Sequence, residues 1–150
     1  MQNIEPPAPK FPQSSQSPLI VSENGQGRYQ QTVRVGRHTL IADEHVAAGG
    51  ADDGPAPYDF LLAALGSCTS MTLRMYAERK GLALSRISVA LTHEKISIQG
   101  LGKLDRIERI ITLEGDLQAE QRSRLLEIAN RCPMYRTLCS DIQIDSTLAG

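Results

Sequence analysis

The chain has 150 residues, 41% of them apolar and 22% charged, with a formal net charge of −1. That length and balance describe one globular domain with a real hydrophobic core, and the near-neutral charge points away from a nucleic-acid binder. With no Trp and two Phe there is no aromatic platform on which bases could stack, and no apolar run has the length needed to cross a bilayer.

Residues 1–18 hold five of the eight prolines together with Gln and Ser. Such a composition cannot bury enough apolar surface to order itself, so it reads as a flexible arm ahead of a domain spanning 19–150. The arm lacks the apolar centre of a signal peptide, and a cytoplasmic location is expected. LIVSE, from Leu19, predicts a short strand, ENGQGR a turn and RYQQTVRV a second strand. Gly36 and Arg37 turn the chain into HTLIAD, a third strand, and AAGGADDGPAP is a loop.

A helix is predicted over 57–80, begun by Pro57 and stopped by Gly81. Leu61, Ala64, Leu65, Cys68, Met71, Thr72 and Met75 recur at helical spacing and form its apolar stripe. RISVALTHEKI and RIERIITLEG read as a strand pair joined through QGLGK. A second helix runs from Leu117 to Arg131, with Leu125, Ile128, Ala129 and Cys132 on a common side. It ends at Cys132, because the following Pro133 disfavours helical geometry there. SDIQIDS predicts a last strand. Three strands, helix, two strands, helix, strand is an α+β order with antiparallel sheets, not the alternation of a doubly wound fold.

Three cysteines, an odd number, fit a reducing compartment where any disulfide is transient. Cys68 in the apolar stripe is open to two readings, a small core residue or a thiol held in a dry pocket. Cys132 stands at a helix end directly before Pro133. No CxxC pair or zinc-finger spacing is present, and His38, His45 and His93 are scattered as surface or strand residues. No metal and no cofactor is expected. Cys139 reads as a packed or partly exposed thiol, with a spare resolving role as its rival.

GPAPYDFLLAALGSC followed by TSMTLRMYAERKG, and later NRCPMYRTL, resemble the OsmC/Ohr family of osmotically inducible and organic hydroperoxide resistance proteins. The resemblance spans about 19–148 and leans toward the OsmC-like branch. It implies an OsmC-like fold with antiparallel sheets packed around two main helices, in an intertwined homodimer. It implies further that Cys68 is the peroxidatic residue, whose thiolate attacks the O–O bond of an organic hydroperoxide and becomes a sulfenic acid. Cys132 is then the resolving residue that forms a disulfide with it, and a small dithiol or dithiol protein reduces the pair.

The family's thiolate-stabilising cation is an arginine in the turn after the first strand. Arg28 is its positional match here, with Arg34 and Arg37 as rivals. The family Glu that orients this arginine is replaced by Tyr58. The neighbouring Asp59 is expected to face away from the thiol and to serve the helix N-terminus. The expected function is a thiol-dependent organic hydroperoxide reductase in oxidative stress defence. The alternative is an OsmC-like hydrophobic-ligand-binding or redox-sensing protein with little turnover, and a thiol-dependent hydrolase is a third reading.

Overall fold

The computed structural model describes residues 17–149; the arm read at 1–18 lies almost entirely outside them. Nine elements follow in order: strands β1 (Ile20–Glu23), β2 (Gln31–Val35) and β3 (His38–Ala42), a single 3-10 turn (Val46–Ala48), helix α1 (Pro57–Lys80), strands β4 (Leu84–Ile98) and β5 (Gly102–Gly115), and helices α2 (Ala119–Ala129) and α3 (Pro133–Leu138). The chain gathers into two compact units. One comprises 17–64 and 92–107, the other 65–91 and 108–149.

In the first unit β1, β2 and β3 form an antiparallel meander, with Val21 opposite Val33 and Val33 opposite Leu40. The loop after β3 is organised around Asp43, which is 3% exposed. Its carboxylate accepts the backbone N–H groups of Glu44, Ala51 and Asp53 at 2.8, 3.2 and 3.2 Å, and its own N–H donates to Pro55 O at 3.2 Å. A loop rich in Gly and Asp thereby satisfies its backbone groups without a ladder. It delivers the chain to α1, where Asp59 Oδ2 accepts the Ala56 N–H at 2.9 Å and satisfies one of the donors a helix start leaves orphaned.

In the second unit the remainder of α1 packs with α2 around Leu73, Tyr76, Ala77, Leu84, Leu117, Leu125, Ile128 and Ala129. Gly66 on α1 lies close against β4: a Cβ there would sit 2.8 Å from Leu91 Cδ1. Gly81 closes α1 at φ +63°, a conformation that disfavours side chains. The hairpin of β4 and β5 is bridged by Arg86–Glu114 in this unit and by Arg106–Glu94 in the other.

Three expectations are corrected. The buried face of α1 runs through Leu65, Thr69, Thr72, Leu73, Tyr76 and Ala77, whereas Met71 and Met75 are 54% and 40% exposed. The apolar tally missed that a threonine can bury itself by bonding its own helix, as Thr69 does by donating to Leu65 O at 2.7 Å. Helix α2 ends at Ala129, short of the expected Arg131, and after Cys132 the chain restarts helical structure as α3, for which Pro133 suits the first position. SDIQIDS forms no strand: residues 141–149 have no regular structure. Ile142 and Ile144 are exposed, for alternation makes a strand only where a neighbour offers a ladder.

Candidate functional site: two thiols at the start of helix α3

Cys132 is fully buried and caps α3 from outside its first turn. A helix start leaves up to four N–H groups without intrahelical partners, and here their disposition can be followed one by one. Pro133 has none. The Met134 N–H is directed at the Cys68 thiol. The Tyr135 N–H donates to Cys132 Sγ at 3.3 Å, and the Arg136 N–H returns to Cys132 O at 3.1 Å. The Cys-Pro dipeptide thus leaves two consecutive amides to serve two sulfurs.

Cys68, half-buried on α1, comes beside Cys132, and both thiols are free. Burial pushes the Cys68 thiol above its ordinary value, the Met134 N–H pulls it back, the Cys132 thiol raises it again, and the Thr72 hydroxyl lowers it. Desolvation, neighbouring charge and hydrogen bonding to the charged form are the physical causes that shift any such group. The Thr72 hydroxyl is buried and makes no regular hydrogen bond among the described residues. It lies one turn along α1 from Cys68 and favours the thiolate. Among the described residues no cationic side chain is one of the groups that shift the Cys68 thiol.

Thr69 links this pair to a group that sequence reading missed. Its hydroxyl lies 3.8 Å from Cys132 Sγ and accepts from Arg109 Nη1 at 2.8 Å. Arg109 also donates to Ala129 O at 3.2 Å and to Asn130 Oδ1 at 2.7 Å, and its guanidinium lies over the Tyr135 ring, 5.1 Å from the centroid. One signal was present in the sequence. Arg109 alternates with Ile111 and Leu113 on the more buried face of β5, so a charge occupies a position where the period of two calls for an apolar residue.

Arg28 belongs to the other unit, where its guanidinium lies 5.0 Å from the Tyr29 ring centroid. Tyr58 stacks on His93 in that unit, and His45 approaches Asp52 and Asp59 at 3.2 and 3.8 Å. Cys139 is exposed at the end of α3. Among the described residues no three His, Cys, Asp or Glu side chains gather as a metal site would require, and no helix is long and apolar enough to cross a membrane. A groove of about 520 Å³ flanks α1 between Met71, Met75 and Ile87. Neither cysteine lines it.

Comparison with known proteins agrees with this fold. The family described as OsmC-like protein matches residues 50–147, a stretch that includes both cysteines. Similar solved structures include an OsmC-like protein from Mycoplasma pneumoniae, 16% identical over 83% of this chain and 88% of that one, with a TM-score of 0.69. Another is an organic hydroperoxide resistance protein OsmC from Legionella pneumophila, 16% identical over 83% and 91%, TM-score 0.61. A third is an organic hydroperoxide resistance protein from Elizabethkingia anophelis, 18% identical over 82% and 89%, TM-score 0.59. At such identities the likeness is one of fold. No curated protein matches the chain in sequence.

Proposed function

The chain belongs to the OsmC-like protein family, and on that premise we propose that it is a thiol peroxidase for organic hydroperoxides. The observation that carries this reading is the pairing of Cys68 and Cys132 at the amino end of α3, each sulfur facing a backbone N–H. The Cys68 thiolate attacks the outer oxygen of ROOH. The O–O bond breaks, ROH leaves after taking a proton, and Cys68 becomes a sulfenic acid. The Cys132 sulfur then displaces hydroxide from Cys68, its thiol proton completing a water molecule, and a disulfide remains. A small dithiol or dithiol protein restores both thiols by exchange. No metal or organic cofactor enters these steps. Arg28 is proposed as the cation that favours the thiolate, with Arg34 and Arg37 as rivals, and the protein is proposed to act in the cytoplasm.

An intertwined homodimer belongs to the same proposal. Support comes from apolar surface that one chain leaves uncovered: Ile20 and Val21 on β1, Met71 and Met75 on α1, and Ile142 and Ile144 near the C-terminus. A second reading, a redox sensor with little turnover, is favoured by one observation, the upward shift of the Cys68 thiol by burial and by Cys132.

Consumption of cumene hydroperoxide with dithiothreitol as reductant tests the reading. Wild type is expected to turn over, Cys68→Ser to be inactive, and Cys132→Ser to perform one attack and stop. A wild type that consumes no hydroperoxide overturns the peroxidase and leaves the sensor.

A further inference from the structure

Arg109 is distinguished by the number of elements it ties together. From β5 it reaches Thr69 on α1, the Ala129 carbonyl at the end of α2, the Asn130 side chain in the connection to α3, and the face of Tyr135 on α3. Cys132 sits in the turn these last three contacts embrace, and Thr69 is the residue next to Cys68. The fork of a guanidinium can hold several acceptors at fixed angles, which a single ammonium cannot do.

The hydrogens at Thr69 can be assigned. Its hydroxyl has one, and the contact of 2.7 Å to Leu65 O takes it. Thr69 Oγ1 therefore accepts from Arg109 Nη1, and in the remaining contact, to Cys132 Sγ at 3.8 Å, the thiol is the donor. Cys132 gives its hydrogen to Thr69 and accepts the Tyr135 N–H. Both hydrogen-bonding directions of its sulfur are used, and its place relative to α1 depends on where Arg109 keeps Thr69 and the α2–α3 turn.

We propose that Arg109 is a positioning residue for closure of the Cys68–Cys132 disulfide, acting through Thr69 and through the turn that carries Cys132. The proposal rests on the two-thiol reading above but not on peroxide being the oxidant. A disulfide forms only when the two Cβ atoms come within about 3.5–4.5 Å of each other, and reactive groups displaced by about 1 Å can lose on the order of 100-fold in rate. Closure is thus the step that a loosened turn slows. The first chemical step at Cys68 needs no movement of Cys132 and is left alone.

Diamide separates the two steps without hydroperoxide. The Cys68 thiol adds across its N=N bond. The Cys132 sulfur then displaces the nitrogen from Cys68, so two thiols become a disulfide and diamide becomes the corresponding hydrazine. The rate of the first step is read from the adduct in a Cys132→Ser background, and closure from the disappearance of the second thiol in the Cys132-containing protein. Arg109→Ala is expected to slow closure about 10- to 100-fold while adduct formation stays within about twofold. Arg109→Lys should recover part of the loss. Thr69→Ser, which keeps the hydroxyl, should retain most of the closure rate, and Thr69→Val should not. Asn130→Ala removes one exposed acceptor of the fork and gives a milder slowing in a chain that still folds. Closure within twofold of wild type in Arg109→Ala, or an equal fall in both steps, overturns the proposal, as does normal closure in Thr69→Val. Failure of the peroxidase reading would look different: diamide closes the bridge at the wild-type rate, yet cumene hydroperoxide is not consumed.

Discussion

Tyr58 lies face to face with His93, their ring centroids 4.3 Å apart and their planes tilted by 11°. The stack joins the first turn of α1 to β4, and it extends into an ionic cluster in which His93 Nε2 and Lys95 Nζ both meet Asp105 Oδ1 at 2.8 Å. Lys95 first, and His93 with it, hold the Asp105 carboxyl below the usual carboxylate range. Tyr58 therefore serves as a packing residue where the resembling family carries a Glu. Tyr58→Ala is expected to lose about 0.5–1.5 kcal/mol beyond its area term, and Tyr58→Phe to keep nearly all of it. Urea unfolding of the three proteins checks this. An equal loss in Tyr58→Phe would transfer the effect from the ring to the hydroxyl.

The pH response of Cys68 follows from its surroundings. Because burial, reinforced by Cys132, places its folded value above the unfolded one, the folded chain keeps this proton to higher pH. The associated stability is complete below the ordinary thiol value of about 8.5 and declines as pH rises from there toward the folded value. Cys68→Ala should flatten that decline in urea midpoints measured between about pH 7 and 10. Thr72→Val removes a hydroxyl that favours the thiolate, so the pH profile of iodoacetamide alkylation at Cys68 should move further up. Among Arg28, Arg34 and Arg37, the Ala variant that moves this profile upward identifies the cation. Arg28 is the expected one, and a profile moved only by another variant would replace it.

Asp43 sets the acid limit of the loop leading to α1. Burial works to raise its carboxyl, but the N–H groups of Glu44, Asp53 and Ala51 together lower it further. Its contribution is complete above the ordinary Asp value of about 3.9 and is lost as pH falls through the lower folded value. Asp43→Asn should lower stability at neutral pH and make unfolding between about pH 5 and 2 less steep. An unchanged acid profile would show that the carboxylate does not govern the loop.

The exposed and buried faces of α1 should answer differently to truncation. Leu73 is fully buried in the core, and Leu73→Ala is expected to cost about 2–5 kcal/mol. Met71 is 54% exposed in the single chain. If a second chain covers it, Met71→Lys should shift the protein from dimer to monomer in sedimentation at micromolar concentration, with the fold retained by circular dichroism. A wild type that already sediments as a stable monomer would remove the dimer from the proposal.

The sequence by itself determined the α1 boundaries, since Pro57 and Gly81 act on the backbone within one turn, and it determined the order of the first five strands, since each of those alternating runs is bounded by its own turn. It also marked Cys68 and Cys132 as candidates, through the motifs that resemble the OsmC/Ohr family. Tertiary structure alone decided which face of α1 is buried, because Thr69 and Thr72 go inside only where a carbonyl, a guanidinium or a thiol meets them. It alone decided that SDIQIDS lacks a ladder in the single chain, and that Pro133 opens a further helix. Arg109 shows the reason most clearly. Its neighbours come from three helices and the connection between two of them, so its charge reads as solvated until the fold brings Thr69, Ala129, Asn130 and Tyr135 around it. Local chemistry can be read residue by residue, whereas a side chain's partners are set by the packing of elements that sequence distance conceals.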